Sequence, residues 1–221
     1  MASKAHGDLA ADAAAYLARS ADPANCFSGD SQEIDRQAAC LVEWAQTRKA
    51  ILSEEYTFGL KRHAGITAEH EVFVRESDNR AVKRTYPGTF GITDAPKGKQ
   101  RHATPMFYLR RLELMNQILG ADLRLEGISF GTSFIIGKQG DQPSMVISQP
   151  WIRAANPRQP HPSEMEIKQF MELMGFAELP GAYYGWYREA DQITILDARP
   201  DNFIMSSEGV VPIDLVISRQ R

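Results

Sequence analysis

The stretch Ile193–Leu215 constrains this chain most, because it places three polar side chains beside short apolar segments. It reads ITILDARPDNFIMSSEGVVPIDL. Its apolar runs predict three strands, separated by a turn at Pro200 and by a Ser-Ser-Glu-Gly turn. Asp197 and Asn202 flank the proline turn, and Asp214 follows the third run. Phosphoryl transfer needs such a set: one carboxylate that orients the acceptor hydroxyl, and an amide and a second carboxylate that hold magnesium on nucleotide phosphates.

Each of these three residues also has a simpler explanation, since Asp and Asn are common turn-forming residues. Pro200, however, interrupts the chain between Asp197 and Asn202, as a sharp loop requires. Apolar strands flank the loop on both sides, and Asp214 lies at a further strand end. Taken together, the residues favour a chemical site over three unrelated turns.

Composition excludes several classes of protein. The chain has 221 residues, of which 43% are hydrophobic and 24% charged, and its net charge is −3. These values predict a globular protein of one domain or two small lobes, and they argue against nucleic acid as a partner. No apolar run approaches the ~20 residues of a membrane span, and the first residues show no secretory signal. Cys26 and Cys40 lack metal-binding spacing, so we expect a reducing, cytoplasmic location without a membrane partner.

Residues 1–55 predict a helical N-terminal extension. Residues 7–19 are rich in alanine, which favours helix. After a polar segment, Asp30 and Glu33 have the spacing of a capping box at the start of a second helix, which should end near Leu52. The remainder, residues 56–221, is the predicted main domain.

The pattern of the main domain is typical of an α+β fold. Glu71–Arg75 and Arg80–Thr85, joined by a Glu-Ser-Asp-Asn turn, predict a β-hairpin. Pro87–Pro105 predicts a long loop, after which Thr104 caps a helix that ends at Gly120. Further predicted elements are strands at Leu123–Ile128, Thr132–Ile136, Met145–Gln149 and Ala182–Tyr187, and a capped helix from Ser163 to Gly175. The elements do not alternate as regular βαβ units, which favours α+β over a parallel α/β sheet.

Lys83 is the candidate phosphate ligand. It lies within the apolar strand Arg80–Thr85, where a lysine either contacts a ligand or, more commonly, turns to solvent. The neighbouring arginines of the strand are alternatives to it. Glu113, in the middle of the following helix, could hold Lys83 by an ion pair or could be an exposed helix residue. His70 is expected at the surface.

The chain resembles the protein-kinase-like superfamily in three segments: GITAEHEVFVRESDNRAVKRTYPGTFG, SQPWI, and DARPDNFI followed by IDL. Within that superfamily it is most similar to the small kinase-like domain of polyvalent proteins from phages and mobile elements. The resemblance covers residues 59–218. It implies a minimal bilobal fold, with an N-lobe at residues 56–148 and a truncated C-lobe at residues 149–221 after the helical extension.

The resemblance implies catalytic and metal-binding roles for residues of the truncated C-lobe. Asp197 would be the catalytic base, and Arg199 would contact the transferred phosphate. Asn202 and Asp214 would hold Mg²⁺.

It also implies nucleotide-binding roles upstream. Lys83, oriented by Glu113, would contact the α- and β-phosphates of ATP. Gln149 and Trp151 would belong to a hinge segment whose backbone groups read the adenine.

Departures from the family pattern leave three functions open. Ile195-Leu196 replaces the His-Arg that precedes the catalytic Asp of kinases, and the glycine-rich loop is not matched. Only seven residues follow Asp214, so we expect no helices of the kind that bind peptide substrates. The leading interpretation is ATP- and Mg²⁺-dependent phosphoryl transfer to an unknown acceptor, a protein or a small molecule. The alternatives are a nucleotide-binding pseudokinase or interaction module, and a nucleotidyl transferase.

Overall fold

The computed structural model of the protein describes residues 6–20, 31–53, 55–63, 67–95, 99–135 and 137–219. The chain divides into two compact units. Unit 1 comprises Met1–Glu113 and Asp122–Trp151, and unit 2 comprises Leu114–Ala121 and Ile152–Arg221. Both contain helices and antiparallel strands, so the predicted mixed α and β architecture is confirmed. Within the described ranges, no helix combines the length and the apolar character that a membrane crossing requires.

Unit 1 is built on a five-stranded antiparallel sheet with the strand order β1-β2-β3-β7-β6. Its strands are β1 (Lys61–Arg62), β2 (His70–Arg75), β3 (Arg80–Thr85), β6 (Arg124–Thr132) and β7 (Asp141–Pro150), with a separate hairpin of β4 (Ile92–Ala95) and β5 (Lys99–His102). Its helices are α1 (His6–Ser20), α2 (Ser31–Arg48), the short α3 (Glu55–Phe58) and α4 (Pro105–Leu119), which continues into unit 2 after Glu113.

The predicted hairpin of β2 and β3 is confirmed, with Arg75 paired to Arg80 at its closed end. Asn79 adopts a left-handed conformation in the turn, with φ of 54°, which Asn tolerates better than most residues. Arg75 donates to both carboxylate oxygens of Asp78 across the turn. Local turn chemistry therefore fixes the register of the strand that carries Lys83.

The two faces of the sheet differ, because side chains alternate along each strand. Phe73, Val82 and Val146 form a buried cluster on one face, over which Leu52, Tyr56 and Leu60 pack. Lys83 is adjacent to Val82 in sequence, so its side chain belongs to the opposite face.

The N-terminal helices belong to unit 1. Trp44 and Arg48 of α2 both donate to the carboxylate of Asp12 in α1. Residues 50–52 then run along the edge of β6, where Leu52 N–H donates to Ile128 O at 2.8 Å and Ile128 N–H donates to Ala50 O at 2.9 Å. A Cβ on Gly127 would lie 2.3 Å from Ala50 O. This close backbone approach therefore requires glycine.

Several predicted boundaries are wrong in unit 1. The predicted loop Pro87–Pro105 contains the hairpin of β4 and β5, whose polar sequence has no strand-like alternation. Thr132 ends β6 rather than beginning a new strand, and residues 133–135 are not in a strand. Asp30, Ile136 and Cys26 lie outside the described residues. The cap of α4 is confirmed, since Thr104 Oγ1 accepts from Phe107 N–H.

Unit 2 contains a four-stranded antiparallel sheet with the order β13-β10-β9-β8, and a hairpin of β11 and β12. Its elements are α5 (Glu164–Leu173), β8 (Ala177–Glu178), β9 (Trp186–Arg188), β10 (Ile193–Leu196), β11 (Phe203–Ser206), β12 (Gly209–Pro212) and β13 (Val216–Arg219). The predicted capping box of Ser163 and Glu166 is present at the start of α5. The aromatic strand predicted at Ala182–Tyr187 is limited to β9, because Tyr184 adopts a φ of 59° and breaks the extended chain before it.

Candidate functional site

Asp197 lies directly after β10 in a strained conformation. Its φ is 57°, a left-handed value that is uncommon for residues with a Cβ, although Asp adopts it more readily than most. Asn202, at the end of a 3-10 turn over Pro200–Asn202, holds this conformation. Its Nδ2 donates to the backbone oxygen of Asp197 at 2.7 Å and to Oδ2 of the same residue at 2.9 Å. Strain that is held by neighbouring groups in this way is common at functional sites.

Arg199 engages the other oxygen of the Asp197 carboxylate. Its Nε donates to Oδ1 at 2.7 Å, and its Nη1 lies 3.6 Å from a carboxylate oxygen of Asp201. The hydrogen bond to Asp197 is the largest of the effects that raise the pKa of Arg199. Because the side chains of Arg199 and Asp197 are 46% and 36% exposed, the pair contributes little to stability.

Asp214 joins this loop through the backbone of Asn202. The carbonyl oxygen of Asn202 accepts from Ile213 N–H at 2.8 Å and from Asp214 N–H at 3.4 Å. Asn202 is buried, with 8% exposure, so it is the fixed point that connects the end of β10 to the segment between β12 and β13. Unit 2 therefore brings together Asp197, Arg199, Asn202 and Asp214, which we call the Asp-Asn-Asp loop.

The side-chain chemistry of the Asp-Asn-Asp loop fits a magnesium ion. Since Nδ2 of Asn202 is turned to Asp197, Oδ1 is the amide atom available as a ligand. Asp214, whose backbone N–H contacts Asn202 O, has a carboxylate, which is a second hard oxygen donor. Oxygen ligands of these two kinds are those that Mg²⁺ takes in proteins, usually with water and substrate phosphates completing the shell.

Lys83 is buried in unit 1, with 6% exposure. It lies in the centre of the sheet, paired with Val72 of β2 on one side and with Ile147 of β7 on the other. The alternative of a lysine that turns to solvent is therefore wrong. Gln149 is two residues beyond Ile147 in β7, so its side chain lies on the same face of the sheet as Lys83.

Glu113 and Trp151 have more local partners. Glu113 accepts a hydrogen bond from Arg110, one turn earlier in α4. Trp151 follows β7 and donates its backbone N–H to Asn79 O at 2.9 Å, while its ring packs edge-on against His63 at 5.2 Å between centroids. The Lys83–Glu113 ion pair and the adenine-reading role of the Gln149–Trp151 segment stay predictions.

A buried polar cluster connects α4 to the sheet of unit 1. The sequence did not predict it. Arg111 donates to Glu69 at 2.7 Å, and Nε2 of His70 lies 2.7 Å from the hydroxyl of Tyr108. The expectation of a surface position for His70 is wrong, because this side chain is 2% exposed. Its partner Tyr108 is 38 residues away in sequence, so sequence spacing does not indicate the pair. The local sequence indicates a polar environment for His70 only through the adjacent glutamate.

No protein-family model matches the chain, and no curated protein or solved structure matches it. What the geometry defines is a protein of two mixed α and β units. Unit 1 carries a buried lysine in the centre of an antiparallel sheet, and unit 2 carries the Asp-Asn-Asp loop.

Proposed function

We propose that this protein binds ATP with Mg²⁺ and transfers a phosphoryl group to an acceptor hydroxyl. The observation that carries the proposal is the Asp-Asn-Asp loop of unit 2. Its amide residue holds Asp197 in a left-handed conformation with its side chain and holds Asp214 with its backbone. Left-handed Asp residues also occur in ordinary turns. What supports a site is that one buried residue, Asn202, contacts both Asp197 and the segment that carries Asp214.

The roles follow from the chemistry of each group. Asp197 orients the acceptor hydroxyl and receives its proton, while Arg199 neutralises charge on the transferred group. Asn202 and Asp214 hold the metal. The metal, when bound, neutralises the phosphates and keeps them in line for attack.

Unit 1 supports the nucleotide part of the proposal. The kinase-like resemblance implies a hairpin whose second strand carries Lys83, a helix that carries Glu113, and strands before the Gln149–Trp151 segment. Unit 1 has these elements in this order, with the additional hairpin of β4 and β5 between the first two. Lys83 contacts the phosphates in this proposal, and Glu113 orients it. Lys83 is buried and interacts with other groups of the protein, as a buried lysine requires.

A non-transferring nucleotide-binding module is the second candidate, and one observation favours it. Both oxygens of the Asp197 carboxylate accept hydrogen bonds within the loop, one from Arg199 and the other from Asn202. The charge of Arg199 beside Oδ1 makes the carboxylate a weaker base for an acceptor hydroxyl. This favours a site that binds nucleotide without transfer.

Mass spectrometry after incubation with ATP and Mg²⁺ separates these functions. The molecular masses of the chain and of candidate acceptors are measured before and after the reaction. Phosphoryl transfer adds a phosphate to one of them, a nucleotidyl transferase adds AMP, and a binding module adds nothing while ATP still raises the melting temperature. Added phosphate that persists in Asp197→Asn would remove Asp197 from the mechanism.

A further inference from the structure

A groove in unit 2 has the properties of a ligand site that the proposed function does not use. Its volume is about 740 Å³, which is within the usual range for ligand pockets. It lies between α5 and the connection of β8 to β9, with Met165 on one wall and Tyr183 and Tyr184 on the other. Met165 is 64% exposed and Tyr183 is 83% exposed. Two large apolar side chains are thus presented at one groove.

The charged groups of the groove are mostly acidic. Glu164, Lys168 and Glu178 line it. The ammonium of Lys168 lies 2.8 Å from Glu178 and 4.0 Å from Glu172, which does not line the groove. The charged side chains that line the groove therefore carry a net charge of −1, and this charge favours a positively charged occupant.

One residue of the short strand β8 (Ala177–Glu178), Glu178, lines the groove. β8 is the edge strand of its sheet. Leu179 N–H donates to Gly185 O, and Glu178 is paired with Trp186 one position earlier. Because hydrogen-bonded and non-hydrogen-bonded pairs alternate in an antiparallel ladder, the backbone N–H and C=O of Glu178 point away from β9. They offer one donor and one acceptor to an extended peptide.

Tyr184 links the groove wall to the Asp-Asn-Asp loop. It adopts a φ of 59°, its hydroxyl donates to Glu164 at 2.7 Å, and its carbonyl oxygen accepts from Ala198 N–H at 3.1 Å. Ala198 follows Asp197 directly. A segment bound in the groove therefore contacts a wall that is hydrogen-bonded to the candidate catalytic loop.

We propose that this groove binds an extended, positively charged polypeptide segment of a partner protein, which adds as a strand to the edge of β8. The strand edge supplies backbone partners that recognise a peptide, the carboxylates select Lys or Arg, and Met165 and Tyr183 pack against its apolar side chains. The inference goes beyond the proposed function, because binding of the segment needs neither nucleotide nor transfer.

Fluorescence anisotropy with the full-length chain and no ATP tests this inference. The probe is a short fluorescein-labelled peptide of alternating Val and Lys, and the matched peptide has Glu in place of Lys. We expect the Lys peptide to bind, the Glu peptide to fail, and Tyr183→Ala and Glu178→Lys each to weaken binding about tenfold, as for a central contact worth about 1.4 kcal/mol. Leu173→Ala and Glu189→Lys are the controls, since these exposed residues of unit 2 do not line the groove. Equal affinities in all four variants would overturn the proposal.

Two further probes test the binding mode. Two peptides are compared, each N-methylated at every second amide, with the methylated positions shifted by one residue between them. They differ only in which backbone donors face β8. Strand addition predicts that one peptide binds and the other does not. Equal binding by both peptides would refute strand addition. Absence of peptide binding, together with self-association that Tyr183→Ala abolishes, would identify a second copy of the chain as the occupant and overturn the proposal. Since no ATP is present, failure here leaves phosphoryl transfer to be judged by its own assay.

Discussion

Two arginine–carboxylate clusters of this protein have similar chemistry but differ in burial. In unit 1, Arg75 of β2 donates to Glu126 of β6 at 2.9 Å, and the Glu126 side chain is 5% exposed. In unit 2, Arg199 donates to Asp197 at 2.7 Å, and the Asp197 side chain is 36% exposed. The first pair joins strands 51 residues apart in sequence, whereas the second joins residues of one short loop.

In the buried cluster, both carboxylate oxygens of Glu126 accept hydrogen bonds. Glu126 also accepts from Tyr56 at 3.0 Å and from Ser148 at 2.5 Å. Burial would raise the pKa of Glu126, but the bonds from Arg75, Ser148 and Tyr56 outweigh it and hold that pKa below its usual value. Burial, with the charge of Glu126, raises the pKa of Tyr56 to about 12. This cluster has no strained backbone residue and fixes the sheet.

The exposed cluster instead stores strain and can exchange partners. Asp197 is in the left-handed region, and Arg199 can move into solvent at little cost because the pair is open to water. The comparison teaches that burial, rather than the ion pair itself, distinguishes a structural cluster from a candidate reactive one. The predictions below test that distinction.

The largest expected effect is on transfer in Asp197→Asn. Loss of a general base typically lowers a rate about 10²–10⁴-fold, while stability should change by less than about 1 kcal/mol because the ion pair is exposed. Rates are measured by transfer of label from γ-labelled ATP. Asp201→Asn, an identical change in the same turn at a side chain that is 58% exposed, should leave the rate unchanged. Equal losses in both variants would assign the effect to loop charge instead.

Glu126→Gln should mainly affect stability. Removing the buried charge weakens the hydrogen bonds that Glu126 accepts, while Arg75 keeps Asp78 as a partner. The free energy of unfolding should fall by about 2 kcal/mol, measured by urea denaturation. Asp78→Asn removes the exposed partner of the same arginine and should cost less than about 1 kcal/mol. Equal costs for the two variants would show that the burial of Glu126 is not what matters.

The lowered pKa of Glu126 predicts that the free energy of unfolding depends on pH. Because the pKa of Glu126 is lower in the folded chain than its ordinary value of 4.5, the unfolded chain binds more protons as pH falls below that value. The stabilisation is present above pH 4.5 and is lost as pH falls through the folded pKa, with a slope of at most about 1.4 kcal/mol per pH unit for one group. Urea midpoints across this range should fall less steeply in Glu126→Gln than in the wild type. Parallel curves would contradict the lowered pKa.

Arg199→Ala has the smallest expected effect and separates the two candidate functions. If Arg199 neutralises charge on the transferred group, the transfer rate should fall several-fold, and Arg199→Lys should restore part of it. Stability should change by less than about 0.5 kcal/mol in both variants. A faster rate in Arg199→Ala would mean that this arginine blocks Asp197 rather than assists it.

The sequence predicts the features of this fold that local chemistry decides. The hairpin of β2 and β3 and the caps at Thr104 and Ser163 are confirmed because their partners lie within a few residues. The predicted turn at Pro200, between Asp197 and Asn202, is also local and is confirmed, whereas the hydrogen bonds from Asn202 to Asp197 were not predicted.

Features that depend on distant partners could not be predicted in this way. The burial of His70 depends on Tyr108, and the Glu126 cluster depends on strands far apart in the chain. The hairpin of β4 and β5 has a polar sequence without alternation, so its pairing left no periodic signal. Tertiary contact, rather than propensity, decides these elements.

Calorimetric titration of ATP with and without Mg²⁺ tests most directly whether the Asp-Asn-Asp loop is a metal–nucleotide site. The wild type is compared with Asp214→Asn, and Asp201→Asn is the control. We predict that Mg²⁺ tightens ATP binding in the wild type and in Asp201→Asn but not in Asp214→Asn. An equal gain from Mg²⁺ in all three proteins, or no binding of ATP to the wild type, would contradict the account.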